Sequence, residues 1–301
     1  MILSDQQVQF FETFGFLVRR NVFSAAEVVR YTAEVDLRAA ASHRLIPFVP
    51  AAIGQGGRQQ NLLVPSTPFL TSLMEDDRLA GAAEELVGEL AWIGANAHQF
   101  VGNSVWHFDG GCRQWNGVNN LIYTRPVRGD SGALRVLPGS HHWEVHEAAA
   151  SYDPLGTRWT RAAATPEEKR RALAAVDAIP GFVCDANPGD VVSFHMQVYH
   201  GSSGGGGDRR ACTLSYHGMP QTPEQTEMAI HMAESALRDG DNSHAPWNPV
   251  REFPDEWIAN SEDNPRRATW VANLRKYSAM EKEKHGVRAE VENGKLAMVP
   301  T

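Results

Sequence analysis

Thiols are scarce in this chain: Cys112, Cys184 and Cys212 are the only three cysteines among 301 residues. An odd number without paired metal-site spacing excludes a disulfide framework and a zinc module, and suits reduced thiols. Long apolar runs are missing as well. The opening stretch mixes Asp5, Gln6, Gln7, Glu12, Arg19 and Arg20 with apolar positions, which excludes a signal peptide and a membrane span. Basic charge is in deficit, with 28 Lys and Arg against 36 Asp and Glu, so the net charge of -8 argues against nucleic acid or an anionic membrane as partner. No repeat or long linker divides the chain. The expectation is one domain over residues 1–301, located in the cytoplasm.

What is present is enough apolar material for a sizeable core, 42% of the residues. Helical signals concentrate in the lead, residues 1–90. Ser4 with Gln7 and Ser24 with Glu27 are capping boxes opening amphipathic runs, and Asp76 to Leu86, closed by Gly88, reads as a third helix. From about residue 91 the texture changes to short β-rich pieces: Trp92–Phe100, Val118–Thr124, Ala133–Leu137, Gly181–Cys184, Val191–Val198 and Cys212–Tyr216. Thr165-Pro166-Glu167-Glu168 inserts a capped surface helix among them. Many short strands after a helical lead predict a mainly β, α+β fold: a double-stranded β-helix, or cupin-like jelly roll, over about residues 91–220, buttressed by N-terminal and inserted helices. Residues 221–301 form an extension of unassigned role.

Chemistry concentrates in Trp106-His107-Phe108-Asp109-Gly110. In an extended segment, residues two apart point the same way, so His107 and Asp109 can reach one metal while Phe108 faces elsewhere. A second histidine, His200, comes from a segment that starts with the turn Gly189-Asp190, continues through Val191-Val192-Ser193-Phe194 and ends at Tyr199-His200-Gly201-Ser202. Two imidazoles and one carboxylate occupy one face of an octahedral ion and leave the other open, the arrangement of non-haem Fe(II) oxygenases. His195 is the rival distal ligand, mid-strand and without a following Gly-Ser. Beyond a glycine-rich connection, Arg209-Arg210-Ala211-Cys212-Thr213-Leu214-Ser215-Tyr216 reads as a strand returning in a hairpin. An arginine leading into an apolar core needs a carboxylate partner, which points to a dicarboxylate co-substrate.

At these residues the chain resembles the phytanoyl-CoA dioxygenase-like family of Fe(II)/2-oxoglutarate-dependent oxygenases. The run from Gln7 to Val18, with Phe14-Gly15-Phe16-Leu17-Val18, looks like that family's N-terminus. Gly132-Ala133-Leu134-Arg135-Val136-Leu137-Pro138-Gly139-Ser140-His141 is similar to its central strand and turn, and Gly189 to Tyr216 to its iron-and-oxoglutarate segment. Residues 4 to about 218 are covered. The resemblance implies Fe(II), 2-oxoglutarate and O2 as cofactors, with His107, Asp109 and His200 as metal ligands and Ser202 and Arg209 on the distal carboxylate of 2-oxoglutarate. It further implies hydroxylation of an unactivated C–H bond in a small molecule, with succinate and CO2 released. Two departures stand out: the stretch from His200 to Arg209 is slightly short for the family and contains Gly204-Gly205-Gly206-Gly207, which leaves Arg210 as a rival for the carboxylate. Related halogenases have a small residue in place of the carboxylate ligand, so Asp109 disfavours halogenation. Desaturation, epoxidation and ring closure remain alternative outcomes, as does a metal-binding jelly roll without 2-oxoglutarate turnover.

Other conspicuous residues have plainer readings. Cys112 reads as a buried small hydrophobe. His141, His142 and His146 follow a Pro-Gly turn without a matching carboxylate and read as a solvated loop. Gly204 to Gly207 lacks the helix and Lys-Ser/Thr of a phosphate cradle. The segment Gly54-Gln55-Gly56-Gly57-Arg58-Gln59-Gln60-Asn61 reads as a mobile loop or an active-site lid. Candidate substrate contacts are Arg58, Gln60, the turn Gly111 to Asn116, Arg135, Trp247, Trp257 and Trp270. The arginines suggest an anionic substrate.

Overall fold

The computed structural model describes residues 1–48, 56–109, 115–152, 164–179, 181–205, 209–237, 248, 250–284, 287–292 and 295–300. The capping box of Ser4 and Gln7 opens α1 (Asp5–Phe14), and Gly15, at φ +76°, ends it. The left-handed turn at Gly15 releases the chain directly into β1 (Phe16–Arg19). The second box, Ser24 with Glu27, opens α2 (Ala25–Leu45). Next come β2 (Gly56–Asn61), α3 (Pro68–Leu73) and α4 (Ala80–Val87). Glu34 of α2 accepts hydrogen bonds from the Phe69 and Leu70 amides at 2.9 and 2.8 Å, so one helix caps the next. The third helix starts four residues later than its pattern predicts, because the Asp76 carboxylate is bound to the backbone and guanidinium of Arg78 in a turn.

The β-rich region supplies β3 (Leu90–Val101), β4 (Ser104–His107), β5 (Gly117–Tyr123) and β6 (Ser131–Val136). After α5 (Trp143–Ala149) and α6 (Pro166–Ala174) come β7 (Phe182–Cys184), β8 (Val191–His195), β9 (His200–Gly204) and β10 (Arg209–Gly218). The remainder forms α7 (Pro223–Leu237), α8 (Asp255–Ala259), α9 (Pro265–Lys284) and the pair β11 (Val287–Glu292) and β12 (Lys295–Pro300). A six-stranded sheet in the order β1-β8-β5-β10-β3-β2 faces a four-stranded sheet, β4-β9-β6-β7, through antiparallel pairings. This is the expected jelly roll.

Three local expectations are corrected. The lead is not wholly helical, since β1 and β2 form the two edges of the larger sheet. Gly56–Asn61 is therefore a strand paired to β3 and not a loop or lid; Gly54 and Gln55 lie outside the described residues. Its polar sequence suits an edge, where main-chain bonding alone can hold a strand. The single strand expected over Val191–Val198 is two elements: β8 ends at His195 in the larger sheet, and β9 begins at His200 in the smaller one. Accordingly β10 pairs with β3 and β5, not with β9, so no hairpin joins His200 to Arg209. Gly204 and Gly205 make the crossing possible, both at positive φ, and a Cβ on Gly204 would stand 2.1 Å from the Asp130 carbonyl oxygen.

The main core lies where the helices cover the outer face of the larger sheet, around Tyr31, Leu70, Ile93, Leu214 and Trp270. A second cluster, including Phe16, Leu134, Val192 and Phe194, fills the space between the sheets. Fully burying such side chains contributes about 2 kcal/mol each, which fixes the register on which the inner face depends. Phe253, Trp257 and Trp270 of the extension are core residues, so Trp257 and Trp270 serve packing. Trp247 lies outside the described residues. Among the described residues, no helix is long and apolar enough to cross a membrane.

Candidate active site

His107 is the last residue of β4, and its backbone pairs directly with His200, the first of β9. The two rings stand with centroids 4.2 Å apart. Asp109 follows just past the strand, its amide donating to the Met196 carbonyl at 2.9 Å. Its carboxylate lies 3.7 Å from His107 Nε2 and 3.5 Å from His200 Nε2. One ligand atom from each residue falls within 4.8 Å of the others, the one such group found among the described residues. His200 is 6% exposed, His107 21% and Asp109 38%, so the group opens toward Asp109.

The tautomers follow from the backbone. His107 Nδ1 is 2.7 Å from the Val105 carbonyl oxygen and His200 Nδ1 is 3.0 Å from that of Val198. A carbonyl only accepts, so each Nδ1 carries the proton and each Nε2 keeps its lone pair for a metal. Asp109 is oriented in turn: Ser215 Oγ donates to Asn119 Oδ1 at 2.6 Å, and Asn119 Nδ2 donates to Asp109 Oδ2 at 2.7 Å. Two imidazoles and a carboxylate, each held from behind, are the donor set that suits a divalent iron ion. The residues present fit that ion.

A cavity of about 450 Å³ opens from this group between the sheets. Arg209, on β10, lies in its wall with Nη1 donating to the Gly132 carbonyl at 2.6 Å and to Ser202 Oγ at 3.0 Å. Its guanidinium carbon stands 5.5 Å from the centre of the Phe100 ring. Burial lowers its pKa, and no carboxylate among the described residues pairs with it. Arg210 points to the other side of the sheet and pairs with Asp36 of α2. Gly132, at φ +90°, is required here, because a Cβ would sit 2.2 Å from Arg209 Nη1.

His195 is not part of the metal group. Its Nε2 is 3.2 Å from Asn116 Oδ1, its Nδ1 accepts from the Gln197 amide, and burial pushes its pKa down to about 3. His146 is buried on α5 against Tyr199 and Phe108, which corrects the solvated-loop reading for that residue. His142 is exposed, while His141 reaches the Glu12 carbonyl. Arg58 is bound by the Ile46 and Pro47 carbonyls, and Arg135 by Asp177 at 2.9 Å, and neither arginine lines the cavity that opens from the metal group. Cys112 and the turn Gly111 to Gln114 lie outside the described residues. Asn119, Ser215 and His98 escaped the sequence reading. The signal for Asn119 was there: Asn119-Asn120 lies inside an otherwise apolar, wholly buried strand. His98, in the cavity wall, has both ring nitrogens sealed and without a partner among the described residues, and burial pushes its pKa down to about 4.

A jelly roll with a two-histidine, one-carboxylate group between its sheets defines the class of non-haem metal oxygenase folds. The chain belongs to the phytanoyl-CoA dioxygenase (PhyH) family, whose model matches residues 11–211. It is 28% identical over 153 residues to an ectoine dioxygenase of Bordetella bronchiseptica, covering 46% of this chain and 50% of that enzyme. A Sphingopyxis alaskensis ectoine dioxygenase is 25% identical over 227 residues, 67% and 71% of the two chains. The L-proline trans-4-hydroxylase of Streptomyces griseoviridis is 26% identical over 175 residues, 48% and 61%. The chain thus spans about half the length of the first of these relatives. Among solved structures, the carbocyclase SnoK of nogalamycin biosynthesis superimposes with a TM-score of 0.54 at 19% identity, over 72% of this chain and 84% of that one. HygX of Streptomyces hygroscopicus, with nickel and 2-oxoglutarate bound, gives 0.51 at 20%, over 73% and 89%. These two likenesses establish the fold.

Proposed function

We propose that the chain is an Fe(II)- and 2-oxoglutarate-dependent oxygenase that hydroxylates an unactivated C–H bond of a small-molecule metabolite. One observation carries the reading: a single cavity is lined both by the three-residue metal group and by a desolvated arginine that has no carboxylate among the described residues. A metal site alone has no use for such an arginine. His107, Asp109 and His200 would hold the iron, which when bound supplies O2 activation and the oxidising power for the C–H bond, with succinate and CO2 as co-products.

The chain's own residues position and protect. The Val105 and Val198 carbonyls keep both histidines in the ligating tautomer, and Asn119 keeps the Asp109 carboxylate aimed at the open face. Arg209 would take the distal carboxylate of 2-oxoglutarate through its planar fork. Ser202, which accepts from Arg209, has its own hydroxyl proton left to donate to the same carboxylate. Leu121, Leu134 and Phe194 supply an apolar part of the wall and keep water from it, which strengthens charge interactions there. The relatives' names, a dioxygenase and a hydroxylase, support the same reaction class.

The test is succinate formation from Fe(II), 2-oxoglutarate, ascorbate and O2, with mass spectrometry of a turned-over substrate. Gain of one oxygen supports hydroxylation, and loss of two hydrogens replaces that outcome with desaturation or ring closure. A metal-loaded protein that binds 2-oxoglutarate and never yields succinate would sink the enzymatic reading.

A further inference from the structure

The cavity wall holds two ionised side chains, and both are already engaged. Asp109 belongs to the metal group, and Arg209 has the distal carboxylate of 2-oxoglutarate as its proposed partner. Every other lining residue among those described is uncharged or a histidine. Glu252, whose carboxyl lies 3.4 Å from a Cβ built on Gly94, is not part of that wall. Strand β10 orders the lining residues. Arg209 opens the strand, Ser215 orients Asn119 and through it Asp109, and His217 follows two positions later, about 7 Å further along. Arg209 and His217 therefore flank the metal group from opposite ends of one strand.

The His217 ring is held on its faces and unbonded at its edge. It stacks on Trp92 with centroids 5.4 Å apart and planes inclined by 25°, and it meets Trp115 at 5.8 Å and 70°. Neither ring nitrogen has a hydrogen-bond partner among the described residues. Burial pushes its pKa down to about 4, so at neutral pH the imidazole offers one donor, one acceptor and no charge. On the same face of the sheet, Asn96 of β3 pairs in register with Thr213 of β10, and both line the cavity. Their side chains too lack hydrogen bonds among the described residues. Met232 of α7, beyond the family match, adds an apolar side chain to the wall. An ion entering here would shed its water and gain no opposite charge, whereas a hydroxyl or an amide would find donors and acceptors together.

We propose that His217 is a specificity-determining residue which, with the Asn96 and Thr213 pair, receives an uncharged hydrogen-bonding group of the primary substrate, a hydroxyl or a carboxamide. The part of the substrate that enters the cavity is then neutral and polar, not the anion that the arginines of the sequence suggested. The proposal rests on the oxygenase reading for which reactant occupies the site, while the preference for an uncharged group is itself a binding property.

The test screens Mn(II)-loaded protein saturated with 2-oxoglutarate, by ligand-observed NMR, against fragments of matched size divided equally among cyclic diols and carboxamides, amines, carboxylates and hydrocarbons. The diols and carboxamides should be enriched among the binders. Their dissociation constants should rise about tenfold in His217→Phe, which keeps the stacked ring and removes both nitrogens, and about threefold or more in Thr213→Val, which keeps the shape and removes the hydroxyl. The dissociation constant of 2-oxoglutarate should change by less than about twofold in both variants, a split that a general loss of structure would not produce. Should the phenylalanine variant fail to fold, the valine variant decides. Enrichment of amines, carboxylates or hydrocarbons, equal enrichment of all four classes, or undiminished affinity in the variants overturns the proposal. Selectivity for uncharged polar fragments without succinate formation sinks the oxygenase reading alone, and succinate formation without that selectivity sinks this one alone.

Discussion

Replacing Arg209 with alanine gives the most direct readout of the cavity. Among the described residues only Nη1 of the guanidinium has hydrogen-bond partners, the Gly132 carbonyl and Ser202 Oγ, which leaves the rest of the fork for a ligand. Loss of one member of a buried charged pair costs about 2–5 kcal/mol, and each 1.4 kcal/mol is about one decade in affinity. Water entering the truncated site recovers part of that, so the dissociation constant for 2-oxoglutarate should rise by about one to three decades. Calorimetric titration of Mn(II)-loaded protein measures it without turnover. Metal affinity should change little, because Arg209 touches none of the three ligands. Arg209→Lys should rescue only in part, since an ammonium keeps the charge and loses the planar fork. Arg210→Ala should leave 2-oxoglutarate binding unchanged while it removes a partly exposed pair with Asp36, worth about 1 kcal/mol or less. The reverse result, with Arg210 controlling co-substrate affinity and Arg209 silent, refutes the assignment.

Alanine at His107, Asp109 or His200 should lower metal affinity by about a hundredfold or more, read by metal titration, while His195→Ala should retain it. A His200 variant that keeps its metal beside a His195 variant that loses it would reverse the ligand choice. Gly132→Ala should cost about 1–3 kcal/mol of stability from its positive φ and weaken 2-oxoglutarate binding by displacing Arg209; a melting temperature and affinity both unchanged would contradict the close approach. Hydrogen bonding from Arg78 holds the Glu27 carboxyl at about 2, below its ordinary 4.5. A carboxylate depressed in the folded state stabilises fully above about pH 4.5 and loses that contribution as pH falls toward 2. Arg78→Met should therefore lower the melting temperature at pH 7 and flatten its decline across that window, and an unaltered acid limb would rule the pair out as its source.

Local chemistry was legible wherever a few neighbouring residues determine the outcome. The boxes of Ser4, Ser24 and Thr165 each cap the helix their spacing announces. The His107 to Asp109 spacing carries two ligand side chains to one point because a single residue, Phe108, stands between them. Non-local decisions were hidden. Val191 to Val198 alternates apolar and polar residues from Val192 onward as one strand would, and nothing in it shows that the chain leaves one sheet after His195; closure of the sandwich decides that. The polar Gly56–Asn61 becomes a strand because β3 offers it an open edge. Glu252 meets Gly94 across more than half the chain, a contact that no spacing rule predicts.

The chain crossing after His195 has a consequence for the lifetime of the protein. His107 and His200 belong to the smaller sheet, whereas Asp109 hangs from the larger one through the Met196 carbonyl and Asn119. An ion held by all three would therefore act as a buckle between the layers, and opening the sandwich would mean releasing it. Its binding energy then becomes folding energy, about 2.7 kcal/mol when free metal stands a hundredfold above the dissociation constant. Proteolysis in a cell samples the opened state, so the abundance of this protein would track the iron supply: chains made during iron shortage would be cleared faster than those made in plenty.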